Sequence, residues 1–337
     1  MPALKSDLSL HDKTSSDSFL LGRALTRLLS PGGKRGLSIL IYHRVLPKKD
    51  PLFPGEVDAA DFDKQLGILK SCFNVIPLID AVRLAHAGNL PARAACITFD
   101  DGYADNAEIA LPILQQHQIS ATFFIATGFL NGGRMWNDTV IELVRRAPSQ
   151  MIDARLIGLG KHPLGSIAER QAAISALIAQ LKYLPLEERL MQVNRLRDLV
   201  KIELPNDLMM TSAQVGQLHR AGMGIGGHTV SHPILAKLPD PLARAEIAEG
   251  KLALEDIIKD QVSLFAYPNG KPGEDYHAEH VAMVKELKFE GAVSTAWGAM
   301  KKNQDLFQLP RFTPWDRSRL RFTMHMARNL TTTATRV

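Results

Sequence analysis

Short apolar segments typical of β-strands alternate with segments of helical periodicity along most of this chain. The segments Leu37 to Tyr42, Ala94 to Phe99 and Ala121 to Ala126 are mostly apolar. Between the first two, apolar residues recur at positions 62, 66 and 69, which is the spacing of one face of a helix. Because parallel strands must be joined by crossover connections, usually helices, this alternation predicts a parallel sheet with helices packed on it.

One long stretch interrupts the alternation. From about residue 136 to residue 208 the chain shows helical segments, such as Ala168 to Leu181 and Leu186 to Val200, and no strand signal. We interpret this stretch as a helical insertion. The alternation then resumes with three further strand-like segments: Gly224 to Gly227, Ser263 to Tyr267 and Gly291 to Thr295. No glycine-rich phosphate-binding turn follows the first strand, which argues against an open dinucleotide-binding sheet.

Composition excludes several other classes of protein. The hydrophobic content of 45% is ordinary for a globular protein, and no run approaches the roughly 18 apolar residues that suggest a membrane span. The net charge is +5, but basic residues are spread along the chain, so we expect no nucleic-acid partner. The two cysteines, Cys72 and Cys96, have apolar neighbours, which excludes a disulfide scaffold and fits a reducing compartment.

The ends of the chain carry weaker signals. Charged residues recur within the first 20 positions, which argues against a cleaved secretory signal and leads us to expect a cytoplasmic protein. Residues 19–29 form an amphipathic segment that could cover the domain as a helix or contact a membrane surface peripherally. We divide the chain into a leader at 1–36, a main domain at 37–315 and a C-terminal tail at 316–337.

Two adjacent aspartates, Asp100 and Asp101, stand where the predicted strand Ala94 to Phe99 ends in a glycine turn. Side-by-side carboxylates repel each other and lose hydration on burial, so a shared proton or cation would explain their presence. Asp-Gly is also a common turn pair, and the aspartates alone would fit a solvated turn. Their interpretation therefore depends on what other side chains the fold brings to this strand end.

Two histidines, His228 and His232, are spaced four residues apart in a loop of small residues, Gly226 to Pro233. Imidazole is a common ligand of Zn²⁺ and similar ions. Pro233 disfavours helical backbone at His232, and no glutamate follows His228, so the pair does not form the zinc-binding helix of the His-Glu-x-x-His enzymes. Combined with a carboxylate of the aspartate pair, the histidines predict a site for one divalent metal ion.

Three motifs in succession resemble those of the polysaccharide deacetylase family, the NodB-homology or carbohydrate esterase family 4 group. They are Thr98-Phe99-Asp100-Asp101-Gly102-Tyr103, His228-Thr229-Val230-Ser231-His232 and Phe265-Ala266-Tyr267-Pro268-Asn269-Gly270. The resemblance covers roughly residues 37–315. The opening run Leu40-Ile41-Tyr42-His43-Arg44-Val45 and the Phe-Ala-Tyr-Pro of the third motif are most similar to the exopolysaccharide deacetylases of the biofilm type.

The resemblance implies a fold and an activity. The fold would be a distorted, incomplete (β/α)7 barrel with the helical insertion at about 136–208. The activity would be metal-dependent removal of N-acetyl groups from a hexosamine-containing polysaccharide, oligosaccharide or lipid-linked precursor, with release of acetate. Asp101, His228 and His232 would hold the metal, most simply Zn²⁺, and Asp100 would be the general base.

The resemblance is less definite about the proton donor and about what orients Asp100. In the biofilm-type branch the histidine of the opening motif is the acid, which here is His43, while the more common family pattern points to a late histidine such as His325. The third motif has Ala266 where the family usually has an arginine. We expect Arg311, in Leu309-Pro310-Arg311-Phe312, to supply the missing guanidinium and to pair bidentately with Asp100.

The third motif also suggests substrate contacts. The backbone N–H at Asn269 would help to bind the oxyanion, and we assign Asn269 and Tyr267 to the substrate side of the site, although the segment also fits a plain β-turn. Trp297 and Trp315 fit either sugar stacking or core packing.

Other classes of function are less favoured. A catalytically inactive carbohydrate-binding protein and a relative that hydrolyses another non-peptide C–N bond remain alternatives. A glycosidase is disfavoured, because adjacent aspartates cannot readily flank a sugar ring.

Overall fold

A computed structural model describes residue 24 and residues 36–301, 304–314, 318–332 and 334–337, except for the side chain of residue 319. The amphipathic segment predicted at 19–29 and Trp315 therefore lie, apart from residue 24, outside the described residues.

The strands, numbered in chain order, have the following bounds: β1 Leu37–Tyr42, β2 Asn74–Val75, β3 Ala94–Phe99, β4 Thr122–Ile125, β5 Met151–Ala154, β6 Gly160–Pro163, β7 Gly224–Gly227, β8 Leu264–Ala266, β9 Gly291–Trp297 and β10 Leu309–Arg311. The helices are α1 Ala59–Cys72, α2 Leu78–His86, α3 Leu111–His117, α4 Trp136–Arg146, α5 Ile167–Leu181, α6 Leu186–Val200, α7 Ser212–Arg220, α8 Asp240–Ile258, α9 Ala278–Glu286 and α10 Arg319–Asn329. A π-helical turn, Asn106–Ala110, precedes α3.

The main sheet is parallel throughout and curls into a nearly closed barrel. Its strand order is β1-β3-β4-β7-β8-β9-β10, and the short β2 pairs with the first residues of β3. The two edges meet at a bridge between Leu40 and Phe312, where the Ile41 N–H donates to the Phe312 carbonyl at 3.1 Å. This arrangement confirms the distorted, incomplete (β/α)7 barrel that the sequence predicted.

Burial on both faces explains why the barrel strands read as apolar runs. All six residues of β1 and all six of β3 are buried. Successive residues of β1 belong to different hydrophobic clusters, with Ile39 in one and Leu40 in another. Since side chains alternate across a strand, both faces of the sheet lie against packed side chains, as expected for a parallel sheet.

The insertion between β4 and β7 has a hydrophobic core of its own. Helices α4, α5 and α6 pack around buried residues such as Leu143, Leu177 and Leu196. The sequence predicted helices only in this stretch, but β5 and β6 form an antiparallel hairpin there, with Ile152 opposite His162. The hairpin was not predicted because every second residue of β5 is exposed, so the strand forms no apolar run.

The end of the described chain contains a helix that the sequence did not predict. The segment expected to be a tail, 316–337, contains the helix α10, and its residues Phe322 and Met326 are buried in the main core. The two lie four residues apart, on one face of the helix. Among the described helices, none has the length and hydropathy that a membrane span requires.

Candidate metal centre and catalytic site

The predicted site residues meet at the carboxyl ends of the barrel strands. Asp100 and Asp101 follow β3, His228 follows β7, and Asn269 lies three residues beyond the end of β8. Because parallel strands all end at the same rim, residues far apart in the chain converge there. This rim forms one wall of a cleft with a volume of about 460 Å³.

Asp101, His228 and His232 form a compact group that fits a metal ion. The Oδ1 atom of Asp101 lies 3.4 Å from the Nε2 atom of His228 and 3.4 Å from the Nε2 atom of His232. One ligand atom from each residue lies within 4.8 Å of the others. Asp101 Oδ1 is buried without a hydrogen-bond partner in the described part of the chain. An unpaired carboxylate oxygen facing two imidazole nitrogens is a donor set suited to Zn²⁺ or a similar divalent ion.

A backbone carbonyl fixes the orientation of His228. Its Nδ1 atom lies 2.8 Å from the carbonyl oxygen of Ala266, at the end of β8. A carbonyl can only accept, so Nδ1 carries the proton and donates, and Nε2 is left to bind a metal. Ala266, where the family usually has an arginine, thus contributes to the centre through its main chain.

Helix α8 shapes the loop that carries both histidines. The carboxylate of Glu246 accepts hydrogen bonds from the N–H groups of Val230 and Ser231, at 2.9 and 2.8 Å, and from the Ser231 hydroxyl at 2.6 Å. The same loop holds Thr229 and His232 at φ angles of +66° and +54°. These left-handed conformations are unfavourable for residues with a Cβ atom, so the contacts with α8 help to maintain them.

Helix α8 approaches this loop closely through Gly250. A Cβ atom added at Gly250 would lie 2.8 Å from the carbonyl carbon of Thr229 and 2.9 Å from its oxygen. Any larger residue would therefore displace the backbone between the two histidines.

Asp100 and Arg311 form a buried bidentate ion pair. The Nη1 and Nη2 atoms of Arg311 donate to the two carboxylate oxygens of Asp100 at 2.6 and 2.7 Å, and Nε donates to the Ser294 carbonyl at 2.9 Å. The side chain of Arg311 is fully buried and that of Asp100 is 3% exposed. The pairing expected from the sequence is thus present, and it holds the carboxylate in one orientation.

The charges around the two aspartates determine their protonation. Burial alone would raise the pKa of Asp100, but the charge of Arg311, with that of His228, outweighs it and places the pKa below its ordinary value. For Asp101 burial is again the largest effect, and the neighbouring imidazoles of His228 and His232 outweigh it and place the pKa well below its usual range. Both carboxylates are therefore anionic at neutral pH.

His43 lines the cleft and the rival proton donor does not. The His43 side chain is exposed to the cleft that Asp100 and Asp101 also line. Its carbonyl accepts a hydrogen bond from the Asn106 side chain at 2.9 Å, which anchors the turn after β1. His325 lies on α10, which packs against α1, and is not among the residues that line the cleft.

The two predicted substrate contacts of the third motif have different positions. Asn269 lines the cleft and has a φ of +59°, in a tight turn where the Gly270 N–H donates to the Pro268 carbonyl at 2.7 Å. Tyr267 does not reach the cleft, and this assignment is corrected. Its ring is buried and stacked on Tyr276 with centroids 3.9 Å apart, and its hydroxyl donates to the Phe307 carbonyl.

Trp297 is not at the site either. It packs edge-on against Phe312 with ring centroids 5.6 Å apart and is not among the residues that line the cleft.

The insertion forms the opposite wall of the cleft, which sequence reasoning missed. Trp136, Asp138, Lys182 and Arg189 all line the cleft from this side. No local pattern marks these residues in the sequence, since their position depends on how the insertion packs against the barrel rim.

Asp138 is the acidic residue of the insertion whose pKa is shifted furthest from its ordinary value. It is 4% exposed, and one of its oxygens accepts a hydrogen bond from the Tyr103 hydroxyl at 3.1 Å. Burial, and then the negative charge of Asp101, raise the pKa of Asp138 to about 7.

Comparisons with known proteins agree with these motifs. A model of the family described as polysaccharide deacetylase matches residues 87–152 and 193–292, and the unmatched residues between them lie in the insertion. The chain is 20% identical over 219 residues to YxkH of Bacillus subtilis (strain 168), a candidate polysaccharide deacetylase. That match covers 65% of this chain and 50% of YxkH, so the matched region spans about half the length of its relative.

Solved structures share the fold. IcaB from Ammonifex degensii superposes with a TM-score of 0.56 at 19% identity, covering 87% of this chain and 97% of IcaB. The Streptococcus pyogenes deacetylase PplD, solved in complex with acetate, superposes with a TM-score of 0.55 at 19% identity, covering 82% of this chain and 92% of PplD. The deacetylase domain of BpsB from Bordetella bronchiseptica superposes with a TM-score of 0.52 at 15% identity, covering 84% of this chain and 97% of the BpsB domain. With the three motifs assembled at one rim of this barrel, the chain belongs to the polysaccharide deacetylase family.

Proposed function

We propose that this protein is a metal-dependent hydrolase that removes N-acetyl groups from a hexosamine-containing polysaccharide, oligosaccharide or lipid-linked precursor and releases acetate. One observation carries the proposal: an unpaired carboxylate oxygen of Asp101 faces two imidazole nitrogens, beside the arginine-clamped carboxylate of Asp100. The deacetylases PplD and BpsB share the fold and support the reaction class.

Asp101, His228 and His232 are the residues that would hold the metal, with Zn²⁺ as the first candidate. When bound at such a site, a divalent ion acidifies water and polarises a carbonyl oxygen. The hydrogen bond from His228 Nδ1 to the Ala266 carbonyl leaves the other ring nitrogen, Nε2, available to bind the metal.

Asp100 is the proposed general base. Arg311 holds both of its oxygens, so the carboxylate keeps one orientation toward the cleft and stays anionic. The same pairing makes Asp100 a weak base, because it lowers the pKa of the group that must take the proton. Much of the driving force for proton removal must therefore come from acidification of the water.

His43 is the proposed general acid. It lines the same cleft as Asp100, and an imidazole can carry a proton to a leaving amine near neutral pH. The N–H of Asn269, in its left-handed turn at the rim, is the proposed oxyanion donor.

The inactive alternative rested on the missing arginine of the third motif. Arg311 pairs with Asp100 from β10 instead, so the departure at Ala266 leaves the base with its guanidinium partner.

The test is acetate release from N-acetylglucosamine oligomers and sugar precursors, with and without chelator. We expect release by the wild type, loss with chelator, recovery on adding Zn²⁺, and a loss of about 10²-fold or more in kcat for Asp100→Asn and His43→Ala. The matched control is Asp198→Asn, at an exposed surface aspartate, which should keep wild-type rates. Release that is insensitive to chelator would refute the metal-dependent mechanism.

A further inference from the structure

One arginine in the cleft has no carboxylate partner among the described residues. Arg189, on α6, is 5% exposed and lines the cleft. Its guanidinium donates one hydrogen bond, from Nη1 to the Lys182 carbonyl at 3.1 Å. Its Nε atom is buried without a partner in the described part of the chain. A group with five N–H donors thus uses only one of them on residues that the structure describes.

The other two arginines of the cleft differ in this respect. Arg44 is paired with Asp105 at 2.7 Å. Arg145 is paired with Asp50 at 2.6 Å and with Glu142 at 2.9 Å. Their charges are neutralised by described carboxylates, and within the same described residues that of Arg189 is not.

A second cation and an aromatic ring accompany Arg189. Lys182 also lines the cleft, is half-buried and forms no ion pair among the described residues. The Arg189 guanidinium carbon lies 5.0 Å from the ring centroid of Trp136. Stacking against the indole fixes the plane of the guanidinium while its edge stays available.

Stability of the fold does not account for this arrangement. Burial of the unpaired guanidinium lowers the pKa of Arg189, so the folded protein gives up hydration of a charge without an ion pair in return. The residue also lies near the N-terminus of α6, where the helix dipole disfavours positive charge.

We propose that Arg189 and Lys182 bind a phosphate group on the substrate, so that the acetylated sugar of this enzyme carries a phosphate ester. A phosphate monoester has a charge of about −1.5 to −2 at neutral pH, which matches two cations, whereas a carboxylate would neutralise only one. Planar guanidinium edges pair well with phosphate oxygens. The inference rests on the proposed deacetylase function and names its substrate class.

The test compares N-acetylglucosamine 1-phosphate with methyl N-acetylglucosaminide. For the wild type we expect a KM at least tenfold lower for the phosphorylated sugar. Arg189→Gln and Lys182→Gln should each raise that KM about tenfold, leave kcat nearly unchanged, and alter kinetics on the neutral glycoside less than twofold. The matched control is Arg195→Gln, at an exposed arginine of the same helix, which should behave as the wild type.

Binding measured by calorimetry separates this inference from the proposed function. If the phosphorylated sugar binds in a manner that requires Arg189 but no acetate is released from any substrate, the proposed function fails and the phosphate site stands. If acetate is released equally well from both sugars, or if Arg189→Gln weakens both equally, the phosphate site is overturned and the proposed function stands. Lys182→Gln tests the same point should Arg189→Gln fail to fold.

Further substrates identify the source of the phosphate. A nucleotide-diphosphate sugar and a polyprenyl-diphosphate-linked sugar in detergent each carry a phosphate ester on the sugar, as part of a diphosphate that is also doubly charged, and a preference for either supports the inference. A preference for an N-acetylated uronic acid over all phosphorylated sugars would overturn it.

Discussion

Arg311 is the residue on which the ionisation of Asp100 depends. Burial is the largest influence on the pKa of Asp100 and acts to raise it, and the guanidinium reverses the direction. Arg311→Met should therefore raise the pKa of Asp100. Because the base must be unprotonated, the acid limb of the pH profile of kcat/KM should move to higher pH, with a loss of about 10- to 100-fold at neutral pH. Removing one partner should also destabilise the fold by about 3–5 kcal/mol.

Arg311→Lys is the matched variant for this prediction. A lysine keeps the positive charge and loses the bidentate fork, so the acid limb should stay close to that of the wild type while kcat falls. An unchanged pH profile in Arg311→Met would contradict the role given to the ion pair.

Asp138 should make the stability of the protein depend on pH. Its pKa of about 7 in the folded protein exceeds the ordinary value of about 3.9, so between these values the folded state binds a proton that the unfolded state does not. This contribution to the free energy of unfolding is fully present below about pH 4 and is lost as the pH rises through about 7.

Asp138→Asn removes that dependence, because the amide stays neutral and its oxygen can still accept from Tyr103. The stability of the variant relative to the wild type should rise between pH 4 and pH 7, by at most about 4 kcal/mol for three pKa units. Urea unfolding with chelator present measures this, since a bound cation would offset the charge of Asp101. A difference that is constant over this pH range would refute the assignment, and Asp198→Asn should show no pH-dependent difference.

Residues of the site differ in how far the sequence could predict them. Asp101, His228 and His232 lie in short motifs whose spacing indicates chemistry, so they could be found without a structure. Tyr267 was assigned wrongly because its motif does not show that the ring turns into the core. Arg189 was missed because its significance depends on the absence of a partner, which only three-dimensional packing shows.

At the scale of elements, α8 supports the loop that carries His228 and His232. It contacts the loop twice, through the Glu246 carboxylate and through the close approach at Gly250. Alanine normally favours a helix over glycine, but here its Cβ atom would collide with the backbone of Thr229.

Gly250→Ala should therefore lower the free energy of unfolding by about 1–3 kcal/mol, as overpacking does, and weaken Zn²⁺ binding about tenfold, as loss of supporting contacts does. The matched control is Gly67→Ala on α1, where the nearest atom to an added Cβ lies 3.9 Å away, on His117. That change should stabilise the protein by about 0.5–1 kcal/mol. Chemical unfolding and a zinc titration of both variants would decide the matter, and equal effects would contradict the packing argument.

Strands buried on both faces and helices with a clear period could be predicted from the sequence. The half-exposed strands β5 and β6, and the C-terminal elements β10 and α10, could not. β1, β3 and β4 appear as apolar runs because neighbours cover both of their faces. β5 and β6 pair only with each other, so alternate residues are exposed and the hydrophobic signal is weak. β10 is a three-residue strand that contains a proline, and its pairing with β9 is set by the closure of the barrel.

At the scale of the whole molecule, metal binding should be coupled to folding. The proposed ligands Asp101 and His228 follow strands that lie on either side of β4 in the sheet, so an ion bound to both would hold distant parts of the chain together. At a Zn²⁺ concentration 100 times the Kd, we expect about 2.7 kcal/mol of added stability. Thermal unfolding with Zn²⁺ and with chelator measures this gain, which Asp101→Asn should abolish. A Tm that is independent of metal in the wild type would contradict the site.

The insertion leaves the barrel after β4 and ends before α7, where the Met210 N–H donates to the Gly102 carbonyl at 2.9 Å, so both of its connections lie at the rim that carries Asp100 and Asp101. It also has a separate hydrophobic core. We therefore expect substitutions inside this block to reshape the wall that faces an incoming substrate while leaving the side chains at the barrel rim in place.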